Sequence, residues 1–237
     1  MKRSVRKFLI DLKEFLSSSR ISLLIFIEVI LGLVFSFTSL AVFIEFSTNV
    51  FQKETFIFDN KVSLFIYSLR TPLLTEFMIF ITNLGGANLL FPTALVIIFL
   101  IWRKHKNEAL LFSLVSFMGF ALNNLLKLLT QRIRPLISPL INQSTYSFPS
   151  GHAMNNFIFY ALLSFFVFRF TRQKKMSIIT VCISLVMVLL IGLSRIYLGV
   201  HYPTDVIAGY IAGFWVFVTA LLIEKTISFL DIFKEKK

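Results

Sequence analysis

Three short stretches of this 237-residue chain combine residue types that suit phosphoryl chemistry. Lys127 is followed after six residues by Arg134-Pro135; Pro149-Ser150-Gly151-His152 comes next; Ser194-Arg195 then precedes His201 and Asp205. Lys127, Arg134 and Arg195 donate hydrogen bonds and accept none, and the arginine fork matches two oxygens of a phosphate. Their natural guest is an oxyanion. Ser150 and Gly151 stand where a helix is predicted to begin behind Pro149, so unpaired backbone N–H groups and the helix dipole favour the same guest. His201 and Asp205, four residues apart around Pro203, bring a carboxylate within reach of one imidazole nitrogen. That contact fixes the tautomer and leaves the other nitrogen free to attack phosphorus. Asp205 favours the imidazolium and the neighbouring cations oppose it, a balance that keeps the attacking ring neutral near pH 7. His152 is then the general acid for the departing oxygen.

A zinc centre built from His152, His201 and Asp205 is the rival reading, since the ligand types would allow it. Three cations beside such a centre would repel a divalent metal, and no HExxH pair or cysteine cluster supports one. The single cysteine, Cys182, lies in an apolar run and reads as a small buried residue. No metal and no cofactor is expected.

The elements that must position these groups follow from composition. Hydrophobic residues make up 57% of the chain and charged residues 15%, with a mean hydropathy of +0.81, which excludes an ordinary soluble globule. The net charge of +12 would suggest a nucleic-acid partner in a soluble protein. Here the basic residues fall in short clusters between apolar stretches, so they read as topology signals and no nucleic-acid partner is expected. A spanning helix needs about 20 apolar residues. Six stretches qualify: 21–44, 72–102, 107–129, 150–170, 176–193 and 203–223. Gly85-Gly86 interrupts the second, which is predicted as one tilted or kinked helix, with room beside the glycines for an acyl or prenyl chain. Residues 51–70 mix Lys53, Glu54, Asp59 and Lys61 with apolar positions and suit a short helix lying at the interface.

The expected architecture is therefore all-α: a polytopic membrane bundle of six spans and one interfacial helix, forming a single domain over 1–237. Of the 24 Lys and Arg residues, 17 fall in the segments predicted inside and 7 outside. Because Lys and Arg favour cytoplasmic loops, both termini, including the basic stretch 1–20 before an uncleaved first span, are expected in the cytoplasm. The three chemical stretches, all within 127–205, then face outward at the level of lipid headgroups. Charges near membrane depth are expensive and tend to be functional.

Taken together, Lys-x6-Arg-Pro, Pro-Ser-Gly-His and Ser-Arg-x5-His-x3-Asp, in this order and without a substitution, resemble the signature of the type 2 phosphatidic acid phosphatase superfamily. The resemblance implies a membrane lipid phosphatase with a phosphohistidine on His201, oriented by Asp205, and His152 as acid. It implies phosphate binding by Lys127, Arg134, Ser150, Gly151 and Arg195, with no metal. Vanadate-dependent haloperoxidases share the motif logic, but six spans argue against that branch. With an outward site the leading expected substrate is undecaprenyl pyrophosphate, followed by phosphatidylglycerophosphate and phosphatidic acid. A lipid phosphotransferase shares the first step. A transporter that only recognises the headgroup leaves His201, Asp205 and His152 unexplained.

Other conspicuous residues have plainer readings. Glu28, inside the first span, is expected to face the bundle interior, as a structural hydrogen-bond partner or on a substrate path. Arg132, between two motif positions, binds phosphate or faces anionic headgroups. His105 lies in a basic loop and reads as solvated. Asn142-Gln143-Ser144 matches a glycosylation acceptor but is short enough to arise by chance, and the 29 phenylalanines read as lipid-facing or helix-packing residues.

Overall fold

The computed structural model describes residues 20–235 apart from residue 138, and the regular structure among them is all helical. The expectation for the basic stretch 1–20 lies almost wholly outside them. In chain order the helices are α1 (Arg20–Phe51), α2 (Phe56–Ser68), α3 (Pro72–Asn83), a 3-10 turn (Gly86–Leu89), α4 (Leu90–Trp102), α5 (Lys106–Thr130), α6 (Gly151–Thr171), α7 (Lys174–Tyr197) and α8 (Pro203–Glu235).

Among the described residues five segments are long and apolar enough to cross a bilayer: Leu23–Phe51, Lys106–Thr130, Gly151–Thr171, Lys174–Tyr197 and Pro203–Asp231. The sixth is broken. Where the sequence predicts a single kinked helix, α3 and α4 are separate rods bent by 44° about Gly85-Gly86. Gly86 stops the rod because it takes φ +62°, a left-handed conformation that costs a residue with a Cβ about 1–2 kcal/mol. A short helix, α2, occupies the segment expected at the interface. Its junction with α3 is fastened to the end of α7: Arg70 Nη2 donates to the Tyr197 carbonyl at 2.7 Å, and the Tyr197 hydroxyl lies 3.0 Å from Thr75 Oγ1.

Sequence signals explain most boundaries. Thr71 caps α3 by accepting from the Leu74 amide, with Pro72 at the first helical position. Ser150 caps α6 in the same manner. Gln131 and Arg172 take left-handed conformations just past α5 and α6, which ends those helices.

The chain packs as two compact units, one up to Thr38 and from Val218 onward, the other Ser39–Phe217. Within the first, Glu28 pairs with Lys225 at 2.8 Å and Ser36 bonds Thr219 at 2.8 Å. Glu28 is half-exposed, so it does not face a buried interior as expected. The second unit holds every motif residue. Its core includes Phe112, Met154, Ile158, Leu162 and Ile191. On α8, a Cβ at Gly209 would stand 2.7 Å from the Ser150 carbonyl, and one at Gly213 would stand 2.9 Å from the Met154 carbonyl. The small residues therefore let α6 and α8 touch backbone to backbone, the usual device where no hydrophobic force drives helices together. Large apolar side chains such as Phe80, Phe91, Trp102, Phe117 and Ile178 remain exposed, as lipid-facing positions should. Cys182 is exposed as well, which corrects its reading as a buried residue: α7 turns that position outward. His105 is partly exposed, 3.8 Å from Glu108 and 4.5 Å from the Phe170 ring centroid.

Candidate active site

Five elements converge on one end of the larger unit: the last turn of α5, the loop 131–150, the first turn of α6, the last turn of α7 and the link from α7 to α8. The loop is shaped by the cations of the first motif. Lys127 Nζ donates to the Tyr146 carbonyl at 2.8 Å and to Thr145 Oγ1 at 3.2 Å. Arg134 reaches the same segment, donating through Nε to the Thr145 carbonyl at 2.6 Å and through Nη2 to Thr145 Oγ1 at 3.0 Å. Asn123, on α5, donates to the Pro149 carbonyl at 3.2 Å. A Cβ on Gly151 would fall 2.7 Å from Asn123 Oδ1, so a side chain at the third motif position of the second stretch would push Asn123 aside.

The tautomer of His201 is legible in the hydrogen bonds. Arg134 Nη1 lies 3.1 Å from His201 Nε2. Guanidinium can only donate, so Nε2 carries a lone pair and the proton resides on Nδ1. Nδ1 faces Asp205 Oδ2 at 3.5 Å and Ser147 Oγ at 3.4 Å. Asp205 is fully buried. Its Oδ2 accepts from the Ser147 hydroxyl and from the Tyr202 amide at 2.8 Å, and its Oδ1 accepts from Arg132 Nη1 at 2.5 Å. Burial lowers the His201 pKa well below the usual histidine value; Arg134, Arg195 and Lys127 push the same way, and a hydrogen bond to the Ser147 backbone opposes them. These influences favour the neutral ring, with burial rather than a balance between Asp205 and the cations as the largest of them.

Arg195 is the most telling cation. It is 1% exposed, and it spends one donor on Thr82 Oγ1, at 2.7 Å. Its Nε and Nη2 are buried with no partner. Buried polar groups are almost always satisfied, so two orphan guanidinium donors mark where an anion belongs. Thr82 belongs to α3, so the broken span orients this side chain.

His152 sits one residue into α6, within electrostatic reach of Arg195, His201, Lys127 and Arg134. The Gly85-Gly86 break lies against its ring. A Cβ on Gly86 would stand 2.5 Å from His152 Nε2, and one on Gly85 would stand 2.5 Å from Asn156 Nδ2. Ser150 is fully buried; its amide donates to the Asp205 carbonyl at 2.9 Å, and its Oγ accepts from the Ala153 amide at 3.4 Å. That cap leaves the first-turn amides of Gly151 and His152 without intrahelical acceptors.

The structure thus brings all eight sequence-derived site residues to one place. It also corrects one assignment. Arg132 neither lies free for phosphate nor faces headgroups: it is split between Asp205 and Asp59, whose Oδ2 it meets at 2.7 Å. Burial lowers its pKa, but the charges and hydrogen bonds of Asp205 and Asp59 outweigh that and raise it above the usual value. Asp59, Ser147, Thr82 and the glycine break are site residues that no motif announces. Among the described residues no three His, Cys, Asp or Glu side chains converge as metal ligands.

Comparison with known proteins gives a consistent result. The family model described as PAP2 superfamily matches residues 108–228. The phosphatidylglycerophosphatase B of Bacillus subtilis (strain 168) is 36% identical over 164 residues, covering 67% of this chain and 79% of that protein. The undecaprenyl-diphosphatase of Sulfolobus acidocaldarius is 29% identical over 163 residues, covering 65% and 72%. The crystal structure of a transmembrane PAP2 type phosphatidylglycerolphosphate phosphatase from Bacillus subtilis superposes with a TM-score of 0.75 at 31% identity, covering 81% of this chain and 96% of that one.

Proposed function

Because the chain belongs to the PAP2 superfamily and is a multi-pass membrane lipid phosphate phosphatase, we propose that it hydrolyses phosphatidylglycerophosphate through a phosphohistidine on His201. The observation that carries the mechanism is the His201 ring: its Nε2 lone pair is turned to Arg134 and its Nδ1 to Asp205. That is the tautomer an attacking imidazole needs.

Lys127, Arg134, Arg195 and the first amides of α6 hold the phosphate, with Ser150 shaping that turn. In the first step His201 Nε2 bonds to phosphorus, the bond from phosphorus to the lipid oxygen breaks, and His152 gives that oxygen its proton. In the second, His152 takes a proton from water, the oxygen of that water bonds to phosphorus, and the P–N bond breaks, returning the electron pair to His201 and freeing phosphate. Asp205 stays ionised and balances the positive charge on the ring while the phosphoryl group is attached. No metal enters either step.

For the substrate, the named activity of the Bacillus subtilis relative supports phosphatidylglycerophosphate. Undecaprenyl pyrophosphate, the leading expectation from the sequence, rests on the lower identity to the Sulfolobus protein and becomes the second candidate. The chain acts as a single integral membrane domain with both termini in the cytoplasm and the site at the outer face. The uneven split of Lys and Arg supports this orientation, and an alkaline phosphatase fused after Lys237 is expected to be inactive; an active fusion overturns it.

Purified protein in detergent and EDTA is expected to release phosphate fastest from phosphatidylglycerophosphate in a panel with undecaprenyl pyrophosphate and phosphatidic acid. His201→Ala is expected to abolish release from all three. Activity that vanished in EDTA and returned with zinc would sink the metal-free mechanism, and full activity of His201→Ala would sink the nucleophile assignment.

A further inference from the structure

Asp59 and Arg132 are fixed positions of none of the three motifs, yet they form a densely bonded charged pair beside Asp205. Arg132 forks between two carboxylates, with Nη1 at 2.5 Å from Asp205 Oδ1 and Nη2 at 2.7 Å from Asp59 Oδ2. Its guanidinium lies over the Tyr202 ring, 4.4 Å from the centroid. Asp59, 1% exposed on α2, uses its remaining capacity on the start of α8: Oδ1 accepts from the Thr204 amide at 3.0 Å, and Oδ2 accepts from the Thr204 hydroxyl at 2.7 Å. Asp59 therefore braces Arg132 and pins the residue next to Asp205.

Consider what this does to Asp205. Its Oδ2 already serves Ser147, the Tyr202 amide and the His201 face. A strong donor on Oδ1 holds the second oxygen as well, which fixes the rotation of the carboxylate and keeps Oδ2 toward Nδ1. The bridging guanidinium is such a donor, and its fork cannot turn without breaking one of two charge-assisted bonds. Fold stability alone does not account for the arrangement, because Arg70 and Tyr197 already fasten the α2–α3 junction to α7.

We propose that Asp59 and Arg132 are positioning residues for phosphoryl transfer: Arg132, braced by Asp59 from the interfacial helix, locks the Asp205 carboxylate that aims His201. This rests on His201 being the nucleophile. It gives α2 a role in the chemistry, whereas its amphipathic composition assigns it only to the membrane surface.

The test uses full-length protein in detergent, with Arg132→Gln, Arg132→Lys, Asp59→Asn and the double variant Asp59→Asn/Arg132→Gln, alongside His201→Ala. Arg132→Gln is expected to lower kcat about 10²-fold, the loss that roughly 1 Å of misplacement produces. KM and inhibition by inorganic phosphate should change less than about twofold, because Lys127, Arg134 and Arg195 are untouched. Arg132→Lys should fail to restore kcat, since an ammonium cannot bridge two carboxylates in a fork. Asp59→Asn should lose about tenfold in kcat, and the double variant no more than Arg132→Gln alone, because members of one network are not additive. A kcat within threefold of wild type in Arg132→Gln overturns the proposal, as does a loss confined to KM or losses that multiply in the double variant. Should Arg132→Gln fail to fold, Asp59→Asn decides: it keeps one side-chain oxygen to accept from the Thr204 amide, and an unchanged kcat there overturns the proposal. Activity in His201→Ala would instead overturn the reading of the nucleophile, whatever Asp59 does.

Discussion

Replacing Gly86 with alanine probes the acid side of the site without touching any charged group. Two effects are expected from the geometry. The residue holds φ +62°, so a side chain there costs about 1–2 kcal/mol of stability. The new Cβ would also stand 2.5 Å from His152 Nε2 and 2.6 Å from Cε1, where ordinary contact begins near 3.4 Å. The ring must therefore retreat by about 0.9 Å. A displacement of that size at a reacting group lowers the rate about 10²-fold, roughly 2.7 kcal/mol of barrier. The loss should fall on the step in which His152 donates its proton. Phosphate release from phosphatidylglycerophosphate is thus expected to drop about 10²-fold, while p-nitrophenyl phosphate, whose leaving group needs no proton, should lose tenfold or less. Gly32→Ala on α1 is the control: its Cβ meets only the Leu222 residue, no closer than 3.1 Å, and its activity should stay within twofold. Gly86→Ala within threefold of wild type on the lipid, or an equal loss on both substrates, would refute the placement of His152 as acid against the glycine break.

Arg195→Lys should lower kcat/KM by about 10²–10⁴-fold, because two charge-assisted hydrogen bonds to phosphate, each worth about 1.5–3 kcal/mol, are lost together; a change under tenfold would mean that the orphan donors do not meet substrate. Arg134→Gln should move the acid limb of kcat/KM upward in pH by about one unit or more. The sign follows from His201, whose folded-state pKa is lowered by burial first and then by Arg134, Arg195 and Lys127. Removing a cation raises it toward 6.5, so nucleophile protonation begins at higher pH; an acid limb that stayed in place or moved down would count against the assignment. The same depression makes the wild-type fold lose stability as pH falls below about 6.5, where the unfolded chain binds a proton that buried His201 refuses. Arg134→Gln should narrow that window when melting temperatures are compared across pH.

The parts of the site legible from the sequence are those whose chemistry is local or whose spacing is rigid. His201 and Asp205 are four residues apart across the start of α8 and Ser150 caps a helix, so residue type and spacing suffice for both. The first-motif cations were legible as an excess of charge at the ends of apolar runs. What stayed hidden depends on long-range pairing. Asp59 meets Arg132 across 73 residues and Thr204 across 145, and no periodicity encodes such pairs. The available signal was an arginine left over between two motif positions and a carboxylate in a segment read as interfacial. The break at Gly85-Gly86 was visible as a weakness in a long apolar stretch, but its severity was not, because the same dipeptide can kink a helix or end one. Cys182 was misread because an apolar run does not say which face of a span meets lipid.

One backbone bond, from the Ser150 amide to the Asp205 carbonyl, has a mechanical meaning beyond its contribution to packing. It joins the residue two positions before His152 to the carboxylate residue that faces His201, across helices that already touch at Gly209. When the surrounding bilayer thins, thickens or shears, α6 and α8 must travel as a pair at this end, so the two imidazoles are displaced together rather than apart. In the mechanism proposed above, that coupling serves to keep acid and nucleophile in register within a fluid bilayer.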